Sequence, residues 1–175
     1  MDARVKPVHD ASTFAKLGTI PLTHMERIAS KRIARFESWL SSPRNAMEEV
    51  HGLVGLGPGL TPSGDDVLIG ALAMLDALEE REAHAALACT INAIAPGQTS
   101  PLSHCFLRAA AGGHISERFH SIVSSVIEGD FDQAIAIART IGHSSGWDML
   151  TGAMIALRSV TSRVARMERS EIPEY

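Results

Sequence analysis

Cysteine is nearly absent: Cys89 and Cys105 are the only two in 175 residues. Neither belongs to a Cys-x-x-Cys pair or stands at zinc-finger spacing from a histidine, which argues against structural zinc. Both lie in alanine-rich, helix-compatible stretches and are expected as buried thiols. Aromatics make up only 5%, which favours helix-on-helix packing over a sheet sandwich. Positive charge is not in surplus either. The formal net charge is −4, and no Lys/Arg cluster is interleaved with aromatics, which speaks against general nucleic-acid binding. The longest apolar run, Val67 to Leu75, is too short to span a bilayer. The opening Met1-Asp-Ala-Arg-Val-Lys-Pro7 lacks the apolar segment of a secretory signal, so a cytoplasmic location is expected. No fixed-period repeat stands out; a helix after a short glycine break is the recurring pattern.

What is present is core material: 45% hydrophobic against 21% charged residues, enough for one domain. Residues 1–22 read as an arm or as short strands, because Pro7 and Pro21 oppose a long helix. Residues 23–165 read as a single helical domain and 166–175 as a frayed tail. The fold class expected is all-α or mainly α, a bundle around a buried central helix at about 66–80. Thr23 can cap a helix with Met25, Ile28, Ile33, Phe36 and Leu40 on one stripe; Arg27, Lys31, Arg32 and Arg35 lie mostly off it, on a solvated face. Ser100 before Pro101 starts another helix, and Asp130 with Gln133 forms a capping box for a helix from Phe131 to Ile141. Arg158, Arg163, Arg166 and Arg169 fit the last turns of a final helix, where cations complement the dipole.

The chain is organised around one stretch, Gly52-Leu-Val-Gly-Leu-Gly-Pro-Gly-Leu-Thr-Pro-Ser-Gly-Asp-Asp66. Ordering so many glycines costs backbone entropy, which implies close backbone approach to something. Thr61-Pro62 and Ser63 with Asp66 are overlapping helix-start signals, and a well-capped helix alone would account for them. It would not account for the glycines at alternate positions upstream, Gly55, Gly57 and Gly59. The functional reading is a nest of amides from Gly57, Gly59 and Gly64, with the hydroxyls of Thr61 and Ser63, binding phosphate or carboxylate at a helix N-terminus. No lysine follows the glycines as in a Walker loop, and no βαβ unit surrounds them as in a dinucleotide fold.

Asp65 and Asp66 would repel a bare anion. Successive helical residues point about 100° apart, so one carboxylate faces the ligand, or Mg²⁺, while the other caps or pairs. A ligand with an oxyanion at one end and an amide NH₂ at the other satisfies both halves. A second loop, Gly142-His-Ser-Ser-Gly146, repeats this chemistry with His143, Ser144, Ser145 and Gly146. With Thr99 and Ser100, three helix N-termini carry hydroxyls, and their convergence would form a pocket built on helix dipoles.

Gly55-Leu-Gly-Pro-Gly-Leu-Thr-Pro-Ser-Gly-Asp-Asp66, Thr99-Ser100 and Gly142-His-Ser-Ser-Gly-Trp-Asp-Met-Leu-Thr-Gly152 resemble a bacterial family, formerly a domain of unknown function, now associated with a small subunit of oxamate carbamoyltransferase. The resemblance implies a subunit of a multi-subunit transferase in allantoin breakdown, interconverting oxamate and carbamoyl phosphate with oxalurate and phosphate. On that basis the glycine amides, Thr61 and Ser63 hold the anionic end, Asp65 or Asp66 accepts from the NH₂ or binds a metal, and His143 polarises the carbonyl or moves a proton. The partners implied are a small anionic substrate and other protein subunits or further copies of the chain, with no nucleic acid or membrane. Two other readings stay open: an Mg²⁺-dependent hydrolase or phosphotransferase using Asp65 and Asp66, and a non-catalytic scaffold that binds an anion or a partner protein.

Overall fold

Glycine breaks and local caps divide the chain into helices. The computed structural model describes residues 24–41 and 47–170. They form eight helices and, among the described residues, no strand: α1 His24–Leu40, α2 Met47–His51, α3 Ser63–Ala77, α4 Arg81–Ile94, α5 Pro101–Ala111, α6 Glu117–Glu128, α7 Phe131–Ala138 and α8 Ser145–Ser170. The fold is mainly α, as composition implies. The strands considered for residues 1–22 and the cap at Thr23 lie outside the described residues.

The caps explain most boundaries. The Ser100 hydroxyl accepts from the Ser103 amide at 3.0 Å, with Pro101 at the first helical position. Asp130 accepts from the Gln133 amide at 3.0 Å. Gly129 closes α6 in the left-handed region at φ 80°, which a side chain would resist. The start of α3 differs from the capping expectation: Pro62 occupies the cap position and no side chain caps the helix. The Thr61 hydroxyl is instead 3.2 Å from that of Ser145, and the Ser63 hydroxyl acts on the Asp148 carboxyl, lowering its pKa. Tertiary partners have displaced the local cap.

Twelve residues of α3, Gly64 to Leu75, are buried. Its core side chains include Leu68, Leu72, Met74 and Leu75, each contributing about 1.5–3 kcal/mol on burial. Helix α8 lies directly on α3 because glycines let the two backbones touch. A Cβ on Gly70 would lie inside the Met149 carbonyl, 2.7 Å from its carbon, and one on Gly152 would lie 2.8 Å from the Val67 carbonyl carbon. Helices α1, α4, α5, α6 and α7 pack against this pair, and α2 against α1 and α4. Glu37 of α1 accepts from Arg158 of α8 at 2.7 Å, and Glu80 pairs with Arg163. Arg158 therefore joins two helices and Arg163 ties α8 to the residue before α4, within a helix that continues to Ser170, rather than both serving as last-turn cations. The thiol expectation fails: Cys89 and Cys105 are both exposed. Both stand off the faces that turn inward, which carry Ala83, Leu87, Ala88 and Ile91 on α4 and Ser103, Leu107 and Ala110 on α5.

Candidate functional site

The two central helices start with the same words. Ser63-Gly-Asp-Asp-Val-Leu-Ile-Gly70 opens α3, and Ser145-Gly-Trp-Asp-Met-Leu-Thr-Gly152 opens α8. In this register Ser63/Ser145, Gly64/Gly146, Asp66/Asp148, Leu68/Leu150, Gly70/Gly152, Ala71/Ala153 and Leu75/Leu157 are identical. The contacts follow the same register reciprocally. Gly70 meets Met149 while Gly152 meets Val67, so the last glycine of each octapeptide faces the fifth residue of the other. The polar ends also cross: the Ser145 hydroxyl acts on the Asp66 carboxyl, lowering its pKa, and the Ser63 hydroxyl acts on Asp148 in the same sense. This is a local two-fold arrangement within one chain. The sequence reading found no repeat because it sought a fixed period along the chain, and only two copies exist.

Asp65 is fully buried and closed off by protein donors. One oxygen accepts from the Gly55 amide at 2.8 Å; the other accepts from the Ser103 hydroxyl at 2.7 Å and from Thr99. Gly55, at φ +70°, has no room for a side chain because Gln98 lies against it. Ser100 adds a hydrogen bond to the Leu60 carbonyl. These contacts tie the glycine loop to the start of α5. They also occupy Asp65, so the adjacent aspartates do not present two free carboxylates to one cation. Among the described residues, no group of three or more His, Cys, Asp or Glu side chains is placed to hold a metal.

Asp66 points elsewhere. It is 2% exposed, its Oδ2 is buried without a hydrogen-bond partner, and it lines a cavity of about 290 Å³. Thr61, Ser145, Gly142, Ser116 and His114 supply the rest of the polar wall, and Ile69, Phe106, Ala109, Ile115, Phe119, Ile141 and Met149 the apolar one. Burial pushes the Asp66 carboxyl up from 3.8 to about 6; the Ser145 hydroxyl acts in the opposite sense, and Asp148 and Asp65 add to the rise. Asp148 is also raised by burial, against hydrogen bonds from Ser63 and Ser144. Its Oδ2 is buried without a partner, but it does not line the cavity.

The three hydroxyl-bearing helix starts expected from sequence are linked by hydrogen bonds, and some of their amides donate within the chain. The Gly64 amide donates to the Leu56 carbonyl at 2.8 Å, and those of Asp65 and Asp66 donate to Pro62. In the second copy the Gly146 amide binds Ile141, and those of Trp147 and Asp148 bind Ser144. Gly57 and Gly59 are exposed, with φ of +114° and +97°, and serve the turn outside the cavity wall. Thr61, Asp66 and Ser145 are brought together on the cavity; Ser63, Thr99, Ser100, Ser144 and Gly146 lie outside its lining. His143 is exposed and outside the cavity lining. Sequence reasoning did not assign Asp148, Ser116, Phe106 or the apolar wall. The shared Ser-Gly-x-Asp pattern could have identified Asp148.

No helix among the described residues is long and apolar enough to cross a membrane. No solved structure matches the chain. The sequence model of the family described as "Oxamate carbamoyltransferase subunit AllH" matches residues 53–157, from the glycine loop through the Ser145 helix. The chain belongs to that family, and its subunit character implies other protein partners.

Proposed function

We propose that the chain serves an oxamate carbamoyltransferase as the subunit whose Asp66 cavity holds the amide end of a small anionic substrate. The observation that carries this reading is Asp66, which lines the cavity with Thr61 and Ser145 and whose buried Oδ2 has no hydrogen-bond partner. A buried acceptor without a donor is costly, and an incoming N–H group relieves that cost. Oxamate offers a carboxamide and a carboxylate; carbamoyl phosphate offers an amide and a phosphate.

In the reaction, the oxamate nitrogen forms a bond to the carbamoyl carbon, the carbon–oxygen bond to phosphate breaks, and phosphate leaves with the electron pair. The nitrogen must lose a proton. A carboxyl with its pKa near 6 is mainly ionised at neutral pH and basic enough to take that proton. Thr61 and Ser145 can donate to, or accept from, the rest of the amide, while Asp65 holds the loop without touching substrate. His143 receives no role from its exposed position. The allantoin pathway follows from the family resemblance as part of the same proposal.

The test uses the chain assembled with its partner subunits and measures carbamoyl transfer to oxamate. Asp66→Asn is expected to lower kcat/KM by about 100-fold, the loss of one charge-assisted hydrogen bond with its proton acceptor. Full activity in a folded, assembled Asp66→Asn enzyme would refute the assignment.

A further inference from the structure

The cavity lacks what its proposed substrates most need. Its ionisable wall groups are Asp66 and His114, with no lysine or arginine, and the Gly64, Asp65, Asp66, Gly146, Trp147 and Asp148 amides donate within the chain. A carboxylate or phosphate entering beside Asp66 would meet like charge with no fixed cation to offset it. At the mouth, Phe106 lines the cavity and is 48% exposed; Leu102, one turn earlier on α5, is 43% exposed. Leu60, 69% exposed, is held to the start of α5 by the Ser100 hydroxyl bond to its carbonyl. Three of the six large exposed hydrophobics of the described residues thus gather beside the one apolar-walled opening that contains Asp66. The family is one of subunits, so a protein surface must cover part of this chain.

We infer that a partner subunit of the same enzyme docks on the Leu60–Leu102–Phe106 face and supplies a lysine or arginine to the mouth of the Asp66 cavity. The active site is then shared: this chain provides the proton acceptor and hydroxyls, and the partner provides the cation for the substrate's anionic end. The cationic half of this inference rests on the functional reading above; the docking half is measured without turnover.

The experiment uses the full chain with its partner subunits. Phe106→Asp and Leu102→Asp are each expected to weaken association by about 100-fold, as charge in an interface centre does. Ile127→Asp and Val164→Asp, exposed apolar sites outside the cavity lining, should change it by less than about threefold. Circular dichroism checks folding; Leu102, which does not line the cavity, keeps the test valid if Phe106→Asp unfolds. Unchanged association in both patch variants would overturn the inference. So would a self-dimer that these variants split without affecting partner binding. Oxamate should raise the melting temperature of the assembly but not of the isolated chain; equal stabilisation of both would remove the need for a partner's cation. If Asp66→Asn retains turnover while the patch variants still lose association, the site assignment falls and the docking face stands.

Discussion

After Ser63-Gly64 the chain places Asp65; after Ser145-Gly146 it places Trp147. The first is sealed among Gly55, Thr99 and Ser103 and holds a loop. The second is 41% exposed, with the Arg139 guanidinium 5.9 Å above its ring. The following aspartates differ as well, since Asp66 opens onto the cavity and Asp148 does not. What the copies keep in common is what packing requires: two glycines per copy for backbone contact and a serine reaching across. The positions that vary give one copy a ligand-facing carboxyl. A symmetric scaffold and an asymmetric site are therefore separable properties, and substitutions can test each.

The scaffold should show the largest effects. Gly70→Ala and Gly152→Ala each drive a methyl into a carbonyl of the opposite helix, and backbone cannot yield as a side-chain tip can. Each is expected to cost about 3 kcal/mol or more, read from denaturant midpoints at constant slope. Gly97→Ala provides the reference: its φ is +75° but nothing lies within 4 Å, so strain alone should cost about 1 kcal/mol. The comparison breaks if one helix glycine is sensitive and the other tolerates alanine, because reciprocity demands both.

Much of this scaffold was legible from residue order. The caps at Ser100 and Asp130 are hydrogen bonds closed within one turn, so the local sequence contains both partners. The mainly α class followed from low aromatic content and helical periodicity. The roles of Thr61, Ser63 and Asp65 were not legible, because each bonds a residue distant in sequence. The glycine loop was correctly read as demanding close backbone approach at Gly55, but the object approached is Gln98 of the same chain. Sequence alone does not distinguish a glycine that admits a ligand from one that admits another loop.

The aspartates should show an intermediate effect with a defined sign. The Asp66 carboxyl is raised to about 6 in the folded chain against 3.8 unfolded, so between those values the native state holds more protons. Stability contributed by this group is then fully present below about pH 4 and lost as pH rises through about 6, by roughly 1–3 kcal/mol. Asp66→Asn carries no such titration. The variant should match the native protein near pH 4 and exceed it in melting temperature near pH 7.5. Asp65, Asp148 and His114 are the other ionisable side chains beside Asp66 or on its cavity, so the informative quantity is the difference between the two proteins across pH. A flat difference from pH 4 to 7.5 would show that Asp66 is not held in a desolvated setting.

The crossed serines should give the smallest effects and the finest resolution of the comparison. Ser63→Ala and Ser145→Ala each remove a hydroxyl that favours the ionised form of a partly or fully buried carboxyl, worth about 1 kcal/mol. Ser145 also loses its 3.2 Å contact with Thr61, so its variant should be the less stable of the two. Their separate signatures lie in titration. The Ser145 hydroxyl pulls the Asp66 pKa down, so its removal should raise Asp66 further and leave Asp148 nearly unmoved; Ser63→Ala should do the reverse. Carboxyl chemical shifts followed against pH distinguish the two. Double-mutant cycles make the same demand in free energy: coupling for Ser145 with Asp66 and for Ser63 with Asp148, and little for Ser63 with Asp66. Coupling within each helix instead of between helices would mean that the serines cap their own turns, and the two-fold crossing would reduce to a backbone contact between glycines.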